Sequence, residues 1–211
     1  MKHLGYIIAC FVILLNVQLV NAQGDVKIGT QVWKSKNLDV STFRNGEPIP
    51  QAKSEGEWIK SNQNEQPAWC YYDNDVQNDK KYGKLYNWYA VNDSRGLAPK
   101  GYHVPTDAQW TVLTDFLGGE DKAGDKMKSK AGWPINGNGN NSSGFNVLPG
   151  GTRSYNGPFG YIGTGGFWWS STEYYNILRF AWIRFLNYDS GSVERFYFYR
   201  GSGFSVRCLR D

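Results

Sequence analysis

Pro105-Thr106-Asp107-Ala108-Gln109-Trp110-Thr111-Val112-Leu113-Thr114-Asp115-Phe116-Leu117-Gly118-Gly119 holds the clearest secondary-structure signal in the chain. Thr106 and Gln109 stand at the Thr-x-x-Gln spacing of a capping box, in which each side chain satisfies a backbone N–H that the helix start leaves unpaired. Trp110, Leu113, Phe116 and Leu117 then recur at helical spacing and define a core face. Gly118-Gly119 tolerates the left-handed turn that follows a helix. The stretch therefore predicts a helix over 107–117.

Working outward, Val26-Lys27-Ile28-Gly29-Thr30-Gln31-Val32-Trp33 reads as a tight hairpin, two short apolar strands about a Gly-containing turn. Residues 43–67 are polar and broken by Asn45-Gly46, Pro48, Pro50 and Pro67, which predicts loops and edge structure. A short helix is expected over 83–92, where Leu85, Trp88 and Tyr89 fall at helical spacing. Residues 136–144 are nearly all Asn, Gly and Ser, and glycine continues through Pro149-Gly150-Gly151 to Gly166, so that whole stretch is expected as loop. Strands are expected over 178–186, 193–200 and 204–210. In the last, Phe204, Val206 and Cys208 alternate with Ser205 and Arg207, one set facing the core and the other facing away. Two helices in the first half and a strand-rich second half predict an α+β class.

Composition agrees: 25 glycines, 9 tryptophans and 14 tyrosines in 211 residues suit a turn-rich fold with many aromatic contacts. A net charge of +4 is too small to indicate a nucleic-acid partner. Lys2 and His3 precede an apolar run over 4–20, and Val20-Asn21-Ala22 offers a small-residue cleavage pattern. This predicts a signal peptide over 1–22 and one mature domain over 23–211. Lipoprotein processing through Ile7-Ile8-Ala9-Cys10 is the alternative. No later segment is apolar enough to span a bilayer, and no sorting tail is expected after the last strand. The expected location is secreted, periplasmic or outer surface, with no integral membrane segment after cleavage. Cys70 and Cys208 survive cleavage, and in an oxidising compartment they are expected as a disulfide; two buried free thiols are the alternative.

His103 is the one histidine after the leader, and no nucleophile motif stands beside it, so a structural role is favoured over a general base. Asp73-Asn74-Asp75 with Asn78-Asp79 offers oxygen ligands of the kind calcium takes, without a completing glutamate; a solvated Asn/Asp turn is the favoured reading. No catalytic group, metal or cofactor is expected.

Seven segments together resemble the Fibrobacter succinogenes major paralogous domain family over nearly the whole mature chain. They are Ile28-Gly29-Thr30-Gln31-Val32-Trp33 with Asn37-Leu38, Trp69-Cys70-Tyr71-Tyr72-Asp73-Asn74-Asp75, Tyr82-Gly83-Lys84-Leu85-Tyr86-Asn87-Trp88, Gly101-Tyr102-His103-Val104-Pro105-Thr106-Asp107, Ser143-Gly144-Phe145 with Leu148-Pro149-Gly150-Gly151, Trp168-Trp169-Ser170-Ser171-Thr172-Glu173 and Gly203-Phe204-Ser205-Val206-Arg207-Cys208. The resemblance implies a secreted or surface-displayed bacterial protein. Through the wider group of formylglycine-generating enzymes and C-type lectins, it also implies a C-type-lectin-like fold, two short helices packed on a small looped antiparallel sheet. Where some members carry a further cysteine before Pro99, this chain has Ala98. The copper-binding cysteine pair of the oxidase members and the histidine cluster of iron-dependent relatives are not matched, so an enzyme is not expected.

One compositional asymmetry bears on ligand binding. All fourteen lysines lie at or before Lys130, and the last 81 residues hold seven arginines and no lysine. Between Tyr174 and Gly203 every residue except Trp182 and Glu194 is encodable by a codon ending in C, as adenine-directed mutagenesis of AAC codons leaves. Some family members resemble targets of diversity-generating retroelements, which rewrite this region; ordinary divergence among paralogues is the other account. Consecutive Phe196-Tyr197-Phe198-Tyr199-Arg200 cannot all point inward on a strand. The expected ligand-binding set is Tyr175, Asn176, Leu178, Ile183, Phe185, Asp189, Ser190, Ser192, Phe196, Tyr197, Phe198, Tyr199 and Arg200, aromatic and arginine residues being the types that dominate binding surfaces. A satellite core under glycine-rich loops is the alternative for the aromatics. The expected partner is a protein or glycan ligand on a cell surface, with a structural or adhesive surface component as the second reading.

Overall fold

The computed structural model describes residues 24–175 and 177–211; the expected leader, with its alternative at Cys10, and Asn176 lie outside the described residues. In chain order the elements are β1 (Asp25–Ile28), β2 (Gln31–Lys34), α1 (Glu55–Gln63), β3 (Trp69–Cys70), α2 (Asp79–Tyr82), β4 (Leu85–Tyr86), α3 (Trp88–Val91), β5 (Tyr102–His103), α4 (Asp107–Phe116) and α5 (Glu120–Met127). Then follow β6 (Gly150–Arg153), β7 (Phe159–Ile162), β8 (Gly165–Tyr174), β9 (Phe180–Asn187), β10 (Glu194–Tyr199) and β11 (Leu209–Arg210). The class is α+β, as expected, but among the described residues five short α-helices stand where two were expected.

The hairpin forms as read, with Asp25 opposite Lys34, Ile28 opposite Gln31 and Gly29 at φ +60° in its turn. The C-terminal β11 enters beside it, giving a four-stranded sheet in the order β1-β2-β11-β5. Asp25 locks this closure: its buried carboxylate accepts from the Tyr102 hydroxyl at 2.8 Å and pairs with Lys34 at 3.0 Å and with Arg210. A second sheet has the order β10-β9-β8-β6-β7, parallel at Gly151 opposite Gly166 and antiparallel elsewhere, so the expected all-antiparallel sheet is corrected to a mixed one. β3 and β4 pair separately.

Between the sheets lies an aromatic core. Trp168 and Trp169, adjacent on β8, point to opposite faces and join different clusters, Trp168 with Trp33, Trp110 and Phe145, and Trp169 with Tyr86, Ile183 and Phe204. A third cluster holds Trp58, Cys70 and Tyr72. Buried indole N–H groups need acceptors. Trp168 donates to Asn37 Oδ1 at 2.9 Å, Trp169 to the Tyr86 carbonyl at 2.8 Å, and Trp88 to the Ser170 carbonyl at 3.0 Å.

Helix α4 carries the expected capping box, with Trp110, Leu113 and Leu117 buried. Phe116, expected on the core face, is instead exposed and lies across Gly29, where a Cβ would meet its ring at 2.9 Å. Within 43–67 the structure contains α1, capped by a second box between Ser54 and Glu57. Of the helix expected over 83–92 only α3 forms, because Leu85 and Tyr86 pair with Cys70 and Trp69. The loop at 136–144 is found, but 150–166 supplies β6, β7 and the start of β8. Residues 201–209 are buried on both faces, so Ser205 and Arg207 do not face away as alternation implied.

The expected disulfide is also corrected. Cys70 and Cys208 are free thiols buried in separate clusters. Burial pushes their pKa values up to about 11 and about 12, which keeps both protonated and unreactive at neutral pH.

Candidate ligand-binding face

The sheet face built by β8, β9 and β10 is organised around the start of α4. Asp107 donates its backbone N–H to Thr172 Oγ1 at 3.0 Å, and its carboxylate receives Arg184 at 2.6 Å and Arg195 at 2.8 Å. Burial would raise the Asp107 pKa, but hydrogen bonds from Arg195 and Arg184 outweigh it and hold the carboxyl below its ordinary value. A carboxylate in the first turn also suits the helix dipole. This cluster fixes Arg195, whose guanidinium lies 3.4 Å from the Trp182 ring.

From Arg195 an aromatic array runs along β10. Register places Arg195 opposite Arg184, Tyr197 opposite Trp182 and Tyr199 opposite Phe180. Tyr174 stacks on Tyr197 at 4.0 Å and 8°, and Phe196 is parallel to Tyr197 at 5.0 Å and 4°, forming a three-ring stack. Trp182 meets Tyr174 edge-on at 4.9 Å. Phe196 is 51% exposed and Phe198 38%, with Phe198 edge-on to the core ring of Phe204 at 5.3 Å. β10 is the terminal strand of its sheet, so its outer edge has no strand partner among the described residues.

The expected ligand-binding residues do not form one site. Phe196, Tyr197, Phe198 and Tyr199 share β10. Tyr175 and Leu178, 82% and 88% exposed, sit on the β8–β9 loop beside Tyr199, which packs on Tyr155 at 4.6 Å. Asp189, Ser190 and Ser192 occupy the β9–β10 turn at the far end of β9, about 23 Å away at roughly 3.3 Å per residue. There the Lys128 ammonium, just past α5, donates to the Ser190 carbonyl at 2.5 Å, the Asp125 N–H of α5 donates to the Gly191 carbonyl at 3.3 Å, and the Ser190 and Ser192 hydroxyls bond each other at 2.7 Å within the turn. Ile183 is corrected outright: it is buried in the core opposite Trp169. Phe185 is half-buried and stacked on Phe167 at 4.4 Å. Arg200 pairs with Glu173 at 2.9 Å and lies 4.5 Å from the Trp88 ring, a brace beneath the face. Asn176 lies outside the described residues.

Sequence reading missed Tyr174, Trp182 and Arg195, which complete the array. For Trp182 the signal was strand alternation, since once β9 is assigned Phe180, Trp182 and Arg184 must share the side opposite Ala181 and Ile183, whereas Tyr174 and Arg195 are placed by the registers of β8 and β10 on β9.

The other candidate residues are bonded to neighbours within the fold. His103 Nδ1 lies 2.8 Å from Asp211 and Nε2 lies 3.0 Å from Gln109 Oε1. Asp75 caps Gln77 N at 2.9 Å, Asn78 donates to the Tyr72 carbonyl at 3.0 Å and Asp79 pairs with Lys84 at 3.3 Å, so much of the 73–79 turn is bonded within the fold. Among the described residues no helix is long and apolar enough to cross a membrane.

No curated protein and no solved structure matches the chain. The family model described as the Fibrobacter succinogenes major domain matches residues 26–210, from the first strand of the hairpin to the last residue of β11. The chain belongs to the Fibrobacter succinogenes major domain family.

Proposed function

We propose that this protein is a non-catalytic ligand-binding protein, exported by its leader to the periplasm or cell surface, that presents the outer face and edge of β9–β10 to a protein or glycan partner. The scaffold is read as C-type-lectin-like. The observation that supports the reading is the Tyr174–Tyr197–Phe196 stack on an open sheet edge. Edge strands are usually guarded by charge, and a run of exposed rings at such an edge costs solubility unless a partner covers it. The rings are held in place before binding, so little side-chain entropy is lost on contact. Flat ring faces suit sugar stacking as well as apolar protein contact. Diversification of 174–203 by a retroelement is part of the reading, and a near-copy of that coding segment beside a reverse transcriptase gene is its expected genomic sign.

The test is a glycan-array and cell-binding screen of the mature chain against a Phe196→Ala/Tyr197→Ala double variant, which removes the two β10 rings of the stack and whose circular dichroism is unchanged. Truncating two hot-spot rings is expected to weaken binding by about tenfold or more. Equal binding by the two proteins would remove this face as the site.

A further inference from the structure

A cavity of about 590 Å³ opens between the end of β2, helix α2 and the segment at 146–148, and none of its lining residues belongs to β8, β9 or β10. Arg207 lines it, only 2% exposed. Its Nε and Nη2 donate to Asn37 Oδ1 at 3.2 and 3.0 Å, and Nη1 donates to the carbonyls of Lys34 and Phe145 at 3.0 and 2.8 Å. A guanidinium has five N–H donors, so one on Nη2 remains. Every acceptor here is neutral, and no ion pair to Arg207 is found among the described residues. Of the two other buried arginines, Arg184 on β9 has Asp107, whereas Arg153 on β6 spends its donors on the carbonyls of Gly157, Ala52 and Ser54 and on Asn74 Oδ1 and lines no part of this cavity. Burial pushes the Arg207 pKa down to about 9, which still leaves it a cation at neutral pH. A buried charge without a counter-charge is costly, and an incoming anion relieves that cost.

The rest of the lining is of mixed sign. Exposed Lys36, Lys80 and Lys81 add three cations, and Asp39 and Asp79 add two carboxylates, with Asp79 already paired to Lys84. A bare anion would meet Asp39 and Asp79 as repulsive neighbours. A ligand with hydroxyl groups turns the same oxygens into acceptors, and a volume in the range of small-ligand pockets accommodates a sugar ring rather than a lone ion.

We propose that this cavity binds an acidic sugar, its carboxylate or phosphate directed at Arg207 and the lysines, and its hydroxyls at Asp39 and Asn146. The site is separate from the aromatic face and stands whether or not that face binds a partner.

Calorimetric titration of the full chain with glucuronate, galacturonate, glucose 6-phosphate, glucose and inorganic phosphate tests it. At least one of the three acidic sugars is expected to bind about tenfold or more tightly than both glucose and phosphate. Tighter binding of the uronates assigns the anion as carboxylate, and tighter binding of the sugar phosphate assigns it as phosphate. A Lys36→Ala/Lys80→Ala/Lys81→Ala variant, altered only at exposed positions, is expected to weaken that binding by about tenfold or more, with Lys122→Ala on α5 as the unchanged control. Arg207→Lys is informative if it folds; the triple variant decides if it does not. The proposal is overturned if glucose or phosphate binds as tightly as the acidic sugars, if none of the five probes binds, or if the lysine substitutions leave binding unchanged.

Discussion

β8 and β10 lie two strands apart in one sheet and both read as aromatic runs, Phe167-Trp168-Trp169 in one and Phe196-Tyr197-Phe198-Tyr199 in the other. In β8 each ring is sealed in a core, and each indole N–H ends on a specific acceptor. In β10 the rings pack on one another and on rings of Tyr174, Tyr155 and Phe204, and among the described residues the hydrogen bond found to a β10 tyrosine hydroxyl is the long 3.4 Å contact from Arg179 to Tyr199. Aromatic content alone therefore says nothing about burial. Position does: a central strand has cover on both faces, whereas an edge strand has one neighbour and must leave part of its surface to water or to a partner.

The widest gap between the two strands should appear in stability. Trp168→Ala removes a fully buried ring together with its bond to Asn37 and is expected to cost about 3–5 kcal/mol, the range for buried Trp or Phe truncation. Urea denaturation measures it. A cost under about 1 kcal/mol would mean that β8 is not the sealed strand described, since only surface sites tolerate truncation so well.

Asp107 joins the two strands and comes next. Asp107→Ala strands the buried Arg184 guanidinium and is expected to cost about 3 kcal/mol at pH 7. The pH dependence has a definite sign. A carboxyl held below its ordinary value binds fewer protons in the folded protein, so its contribution is full above that value, 3.8, and is lost as pH falls through the lower folded pKa. Stability of the wild type should therefore drop more steeply below pH 3.8 than that of Asp107→Ala; parallel acid profiles would assign the acid sensitivity to another group.

The β9–β10 turn offers a smaller effect. At Gly124 of α5 a Cβ would lie 2.5 Å from the Ser192 carbonyl oxygen and 2.6 Å from that of Gly191. Gly124→Ala should gain helix propensity yet lose about 1–2 kcal/mol net, because overpacking against backbone outweighs the gain. A net stabilisation by thermal melting would show the turn free to move off α5 and able to bring Asp189, Ser190 and Ser192 to a ligand.

What the sequence disclosed follows the same division between local and long-range causes. The α4 boundaries were legible because a capping box and a Gly-Gly stop are local chemistry, and the first hairpin because its turn residue is. The equally local box at Ser54 and Glu57 was masked by Gly56 and the surrounding prolines. Glycines at 150–166 read as loop, yet Gly151 and Gly166 are strand residues. A Cβ at the first would meet the Gly160 carbonyl oxygen at 2.6 Å and at the second the Trp168 ring at 2.3 Å, so these glycines serve close packing. Alternation in 204–208 was visible, but not that both faces would be covered, since that depends on β2, Phe145 and the Asn37 side chain, all remote in sequence. For the binding face, that part of the run 196–200 would be exposed followed from consecutive aromatics, whereas which rings those are, the burial of Ile183 and the recruitment of Tyr174 needed the strand registers.

The smallest stability effect is the one that separates the two strands most sharply. Phe196 is the outer ring of the stack, half in water and supported by Tyr197 from behind. Its removal forfeits the close pair with Tyr197, worth about 0.5–1.5 kcal/mol, and the distant contact with Phe198 at 6.5 Å, and part of that returns because an apolar surface is withdrawn from solvent. Phe196→Ala is therefore expected to change stability by about 1 kcal/mol or less while sharply weakening binding of whatever partner the face accepts. Chemical denaturation alongside the binding screen reads both quantities in one variant. A loss comparable to that of Trp168→Ala would show that Phe196 is core, making the β10 rings a satellite core. A near-neutral stability with full binding would leave the rings exposed without purpose on this face and move the search for a ligand to the charged cavity around Arg207.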